Sequence, residues 1–191
     1  ENIYRISRIL YENKKYNLSE KYLAAIVSEN DDVNLLRGLN DYKLGNYTEA
    51  IGHYQRISDY NLKIIALMHI SSVLVELDGI EEAILFLDNQ INKYSAPTIK
   101  ERFILKQISL LNEYELHEEI IELSTKYLNS KMPSPNLLYA RAMAYEELRE
   151  IRLMEADLIN VLLIDQKNAN TLNALGYSLT VHTQRYDEAY A

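Results

Sequence analysis

The side chains that most often carry chemistry are scattered in this chain. Its histidines, His53, His69, His117 and His182, lie far apart in sequence. The segment His117-Glu118-Glu119-Ile120-Ile121 begins like a zinc helix, in which two imidazoles one turn apart take the metal and a Glu acts as base. The second imidazole is absent, so the pair cannot form. There are no cysteines, which removes disulfides, zinc–thiolate sites and thiol nucleophiles. No Gly-rich phosphate loop and no Gly-x-Ser-x-Gly elbow occur. Carboxylates are abundant, yet runs such as Tyr145-Glu146-Glu147-Leu148-Arg149-Glu150 read as solvated helix faces carrying i,i+4 pairs. Asn17-Leu18-Ser19 and Asn46-Tyr47-Thr48 match glycosylation acceptors at predicted turns, at a frequency that chance explains. No catalytic residue, metal set or cofactor site emerges, and the sequence predicts a protein that is not an enzyme.

What remains is a helical body. The chain has 191 residues, 48 % hydrophobic and 25 % charged, enough for a packed core and too apolar for disorder. Only 5 Gly and 3 Pro leave room for few long loops, and Leu, Ile, Ala, Glu and Lys favour helix. The formal net charge is −8, and no stretch is strongly basic, which argues against nucleic acid and against anionic lipid. The longest near-apolar stretch, Ile64 to Ile70, is too short to span a bilayer, so no membrane insertion is expected.

Two segments carry the same Gly/Tyr/Ala pattern: LRGLNDYKLGNYTEAIGHYQRI at 36–57 and LNALGYSLTVHTQRYDEAY at 172–190. Both resemble the tetratricopeptide (TPR) repeat, a hairpin of two antiparallel helices in a frame of about 34 positions. In that frame Gly38 stands at position 8, Gly45 at 15, Tyr47 at 17, Ala50 at 20, Tyr54 at 24 and Ile57 at 27. Small residues at 8 and 20 let the two helices approach, Gly45 ends the first helix, and the large residues fill the seam. With position 20 as marker the series is Ser19, Ala50, Ala83, Ile120, Met154 and Ala189, at spacings of 31, 33, 37, 34 and 35 residues.

The predicted architecture is all-α: a TPR solenoid, a right-handed superhelix of antiparallel helical hairpins with about five and a half repeats, forming a single domain over 1–191. The repeats fall at about 1–30, 31–59, 60–95, 96–133, 134–168 and, incomplete, 169–191. Helices are predicted from Ile3 to Lys14 and Leu18 to Ser28, turning at Lys15–Asn17, then Asp32 to Leu44 behind an Asp31 N-cap, and Tyr47 to Ile57. They continue at Leu62–Leu77, Ile80–Lys93, Thr98–Asn112, His117–Ser130, Asn136–Leu148, Ile151–Ile164 and Ala169–Thr183. Tyr186 and Ala189 would lack a following helix to pack on, so the chain is expected to be a fragment of a longer one.

Residues 137–190 resemble more narrowly a segment of proteobacterial TPR lipoproteins. Members of that group are tethered to the outer membrane, face the periplasm and act as adaptors of a carboxyl-terminal processing protease, delivering cell-wall hydrolases to it. Gln166 stands where that pattern has Pro, and Arg149 where it has Gly. A lipoprotein needs a lipidated Cys, which this chain lacks, so the tether is implied by resemblance alone.

The TPR resemblance also implies a binding surface, the concave face lined by first-helix positions 2, 5, 9, 12 and 13. The residues expected to touch a protein or peptide partner there are Leu35, Leu39, Tyr42, Met68, Leu105, Tyr139, Met143, Asn173 and Tyr177. The Lys/Asn pair at positions 5 and 9 with which some TPRs grip a terminal carboxylate is replaced by Leu35/Leu39, Met68/Ser72, Leu105/Ser109 and Tyr139/Met143. The lining is apolar and tyrosine-rich with a few acids, suited to aromatic and Met contacts. The leading expectation is therefore a periplasmic adaptor or scaffold. Two alternatives stand beside it: the partner- or substrate-binding region of a larger enzyme whose catalytic domain lies elsewhere, and a homo-oligomeric scaffold paired through solenoid ends.

Overall fold

The computed structural model describes residues 2–28, 30–130 and 134–182. Among the described residues there are eleven helices and no strand. They are α1 (Asn2–Glu12), α2 (Tyr16–Leu23), α3 (Asp31–Leu44), α4 (Tyr47–Gln55), α5 (Tyr60–Asp78) and α6 (Ile80–Lys93). Then follow α7 (Pro97–Glu113), α8 (His117–Asn129), α9 (Pro135–Glu147), α10 (Ile151–Ile164) and α11 (Ala169–His182). The chain divides into two compact units, Glu1–Phe103 and Ile104–Ala191, with the division inside α7. Tyr186 and Ala189 lie outside the described residues.

The hairpin register is visible in burial. Ser19, Ala50, Ala83, Ile120 and Met154, the residues at position 20, are all buried. In the first hairpin the small residues at positions 8 and 20 meet directly, Ser19 Oγ donating to the Ser7 carbonyl at 2.8 Å. In the second, Gly38 lies under the ring of Tyr54: a Cβ there would stand 2.7 Å from Tyr54 Cδ1.

The turns inside the hairpins share one geometry that glycine does not explain. Lys14, Gly45, Glu115 and Arg149 all occupy position 15 and all have positive φ, 59°, 81°, 57° and 63°. At each, the next residue's N–H donates five residues back: Lys15 to Leu10, Asn46 to Asp41, Leu116 to Leu111 and Glu150 to Tyr145. The left-handed residue's own N–H bonds three back, to Tyr11, Tyr42, Asn112 and Glu146. This pair of bonds is the Schellman closure, which satisfies carbonyls that a helix end leaves orphaned. The third hairpin differs, with Gly79 at φ 95° and ψ 175° and its N–H shared between the carbonyls of Leu74 and Val75.

Four of the first helices, α3, α5, α9 and α11, start on side-chain caps. Asn30, Asp59, Ser134 and Asn168 accept from the N–H of Val33, Leu62, Leu137 and Thr171. The expected Asp31 cap is thus displaced by one residue to Asn30. Asp31 is used elsewhere: its carboxylate accepts from the N–H and hydroxyl of Ser58 and from the N–H of Asp59, tying the start of α3 to the start of α5. The first hairpin also turns earlier than expected, at Asn13–Lys15, because Lys14 takes the left-handed conformation. Its second helix stops at Leu23 rather than Ser28, where Arg37 Nη2 reaches the carbonyls of Leu23 (3.1 Å) and Ile26 (3.3 Å).

In the first unit, neighbouring helices pack in sequence from α1 to α6, and α3 also touches α1 and α5. Its larger core gathers Ala50, Tyr54, Ile57, Ala66, Ile70 and Val73, and a smaller one holds Leu23, Val33 and Leu36. By length and composition α5 could cross a membrane, contrary to the expectation from Ile64–Ile70. In this fold that apolarity is spent on packing, since Ile64, Ala66, Ile70 and Val73 are buried. In the second unit α8 packs on α9, α9 on α10 and α10 on α11, around Ala142, Met154 and Leu158.

Candidate partner-binding face

In the first unit α3 touches both other first helices, α1 and α5. Leu35, Leu39 and Tyr42 project from α3, and Met68 from α5; all four are half-buried. Between α1 and α3 a cavity of about 300 Å3 is lined by Tyr4, Arg8, Tyr11, Glu12, Asp32, Leu35, Leu36 and Leu39. Leu35 and Leu39 thus come together as expected. Tyr42 and Met68 do not line this cavity. The Tyr42 ring packs against the core with Leu35, carries the Lys43 ammonium 5.2 Å from its centroid, and meets the Tyr47 ring at 5.9 Å.

The contribution of α1 was not among the expected site residues. Tyr4, Arg8, Tyr11 and Glu12 occupy positions 5, 9, 12 and 13 of the first hairpin, counted back from Ser19. The signal was present: the position rule used for later hairpins, applied to the first, names the α1 wall of the cavity. Burial raises the hydroxyl pKa of both Tyr4 and Tyr11, aided by Asp32 at Tyr4 and by Tyr16 at Tyr11. Both phenols therefore remain neutral hydrogen-bonding groups on an apolar wall.

In the second unit Tyr139 and Met143 project from α9 and are half-buried against Ala142, Met154 and Leu158. Much of their surface is thus occupied by packing within the unit. Tyr177 on α11 is 60 % exposed, and Asn173 is exposed beside it. Tyr177 lines a separate, polar depression of about 280 Å3 with Glu146, Glu147, Arg149 and His182. There His182 Nε2 lies 3.4 Å from Glu146 Oε1, and its Nδ1 lies 3.4 Å from Arg149 Nη1. Leu105, half-buried on α7, belongs to neither depression. Among the described residues no group of three His, Cys, Asp or Glu could hold a metal ion.

Comparison with known proteins supports this architecture. No family model matches the chain. A TPR repeat-containing protein of Pseudomonas aeruginosa is 29 % identical over 140 residues, which is 73 % of this chain and 23 % of that protein. The chain therefore spans about a quarter of the length of this curated relative. Among solved structures, the C-terminal part of a TPR repeat-containing protein from Cytophaga hutchinsonii superposes with a TM-score of 0.57 at 17 % identity, covering 98 % of this chain and 80 % of that one. MamA from AMB-1 gives a TM-score of 0.50 at 12 % identity, over 82 % of this chain and 91 % of its own. With eleven helices among the described residues, arranged in hairpins on a buried position-20 register, the chain has the tetratricopeptide-repeat fold.

Proposed function

We propose that this chain is a non-enzymatic module that binds a protein or peptide partner on the exposed face of its first helices. The observation that carries the reading is the cavity between α1 and α3, whose walls are Tyr4, Tyr11, Leu35, Leu36 and Leu39. It is concave and apolar with a few polar groups at its margin, the usual make-up of a recognition site. Tyr177 supplies a second exposed anchor on the first helix of the last hairpin, and tyrosines are frequent anchors of interfaces.

The narrower reading places this module in a bacterial envelope, on the periplasmic side, as an adaptor between a processing protease and cell-wall hydrolases. Its support is the resemblance of residues 137–190. A pull-down from a bacterial envelope extract tests it, with the wild-type chain beside Leu39→Lys and Tyr177→Ala forms. Recovery of a protease or hydrolase by the wild type, lost in the variants, is the expected result. Recovery unchanged by both substitutions removes the first-helix face, and recovery of no envelope protein removes the adaptor role.

A second reading is favoured by the first hairpin, where Ile3, Ile6 and Ile9 of α1 and Leu18 and Tyr22 of α2 are all exposed. Such a row would suit a second copy of the chain meeting it end to end. Light scattering across a hundredfold concentration range decides this: a strictly monomeric mass removes self-association.

A further inference from the structure

Resting on the partner-binding reading, we infer that the α1–α3 cavity selects a segment carrying a basic side chain beside an apolar one. The cavity's floor is apolar, formed by Leu35, Leu36 and Leu39 with Tyr11, and its margin bears three charges. Two of them cancel: Arg8 Nε lies 3.0 Å from Glu12 Oε1, one helical turn along α1. The third, Asp32, is exposed and has no cation within ion-pairing distance among the described residues. Its neighbouring acid Asp31 is engaged by Ser58 and Asp59, so the two adjacent carboxylates have different tasks. Asp32 and Arg8 both act on the Tyr4 phenol, in opposite senses, which puts the Asp32 carboxylate and an aromatic ring at the same margin as the Arg8–Glu12 pair.

This combination has a chemical preference. A Lys or Arg of the partner can reach the Asp32 carboxylate while its stem lies along the Tyr4 ring. The adjacent apolar side chain of the same segment then enters the leucine floor, where its burial removes apolar surface from water. An acidic segment or a free terminal carboxylate meets the opposite condition, because Arg8 is already paired and Asp32 repels it. The chain's net charge of −8 acts in the same direction at longer range, drawing cationic segments in at low salt.

The test uses three blocked, fluorescein-labelled peptides with Leu-Lys-Leu-Lys, Leu-Glu-Leu-Glu and Ala-Lys-Ala-Lys cores, titrated against the whole chain by anisotropy. The Leu-Lys peptide should bind more tightly than either counterpart. Asp32→Asn should weaken it about threefold at low salt, as for an exposed ion pair, and the difference should shrink in high salt. Leu39→Ala should weaken it about tenfold through the lost apolar contact. Leu85→Ala, at an exposed position on the second helix α6, should leave it unchanged, and circular dichroism checks that each variant is folded. Equal binding of the Leu-Glu peptide, indifference to Asp32→Asn, or no binding by any probe overturns the proposal. If the envelope partner is lost with Leu39→Lys but retained in full with Asp32→Asn, the partner-binding face stands and only its preference for a basic segment fails.

Discussion

At the scale of single residues, position 15 of each hairpin is the most informative place in the chain. Glycine is the residue that takes a left-handed φ without strain, yet Lys14, Glu115 and Arg149 take it too. A side chain there costs roughly 1–2 kcal/mol, partly offset by the extra freedom glycine has in the unfolded chain. Lys14→Gly and Glu115→Gly should therefore each stabilise the fold, by about 0.5–1 kcal/mol in urea titrations. The opposite change belongs at Gly38. The Tyr54 ring that fills its missing Cβ space is 2 % exposed and stacked on His69 at 5.6 Å, so it has little room to retreat. Gly38→Ala should cost about 1–3 kcal/mol by overpacking.

Asp31 makes a prediction that depends on pH. Its carboxyl is held below the usual range first by the N–H of Asp59 and then by the N–H of Ser58, with a weaker opposing desolvation and a still smaller contribution from the Ser58 hydroxyl. A depressed folded pKa stabilises the fold above the unfolded value of about 4 and loses that contribution as pH falls through the folded value. The stability gap between the wild type and Asp31→Ala should therefore be present at neutral pH and close progressively in acid.

At the scale of elements, most helix boundaries were legible because turn chemistry marks them: Gly45, Gly79, Pro97 and the 133–135 break all sit at or within a residue or two of observed ends. The first hairpin was misplaced because its turn lacks glycine and its second helix is ended by a side chain, Arg37, from the following hairpin. A local reading of sequence has no access to that contact. The same holds for Arg141 on α9, whose guanidinium donates twice to the Asp157 carboxylate on α10, at 2.7 and 2.8 Å, and once to Thr125 on α8, at 2.8 Å. In sequence these are unremarkable charges; in the fold they bind three helices, with Asp157 only 4 % exposed. Asp157→Leu should cost about 3 kcal/mol, because it strands a partly buried guanidinium, whereas Arg141→Met with Asp157→Leu should recover much of that loss. Chemical denaturation of the two variants separates these outcomes.

At the scale of the whole molecule, the repeat register carried the architecture from sequence to structure, since one marker position is buried in every described hairpin. The candidate face was only half legible. Leu35 and Leu39 do share a cavity, but Tyr139 and Met143 pack into their own unit's core, because position within a repeat fixes a direction and not how much neighbouring helices cover. The apolar cavity on the first helices makes partner binding the central proposal. It is tested most directly by placing a photo-crosslinking amino acid at Leu39 and at Tyr177 on first helices, and at the exposed Leu85 and Ile159 on second helices. The account predicts that a protein partner is captured from positions 39 and 177 and not from 85 and 159. Capture from 85 or 159 alone would contradict it and move the binding surface to the second helices.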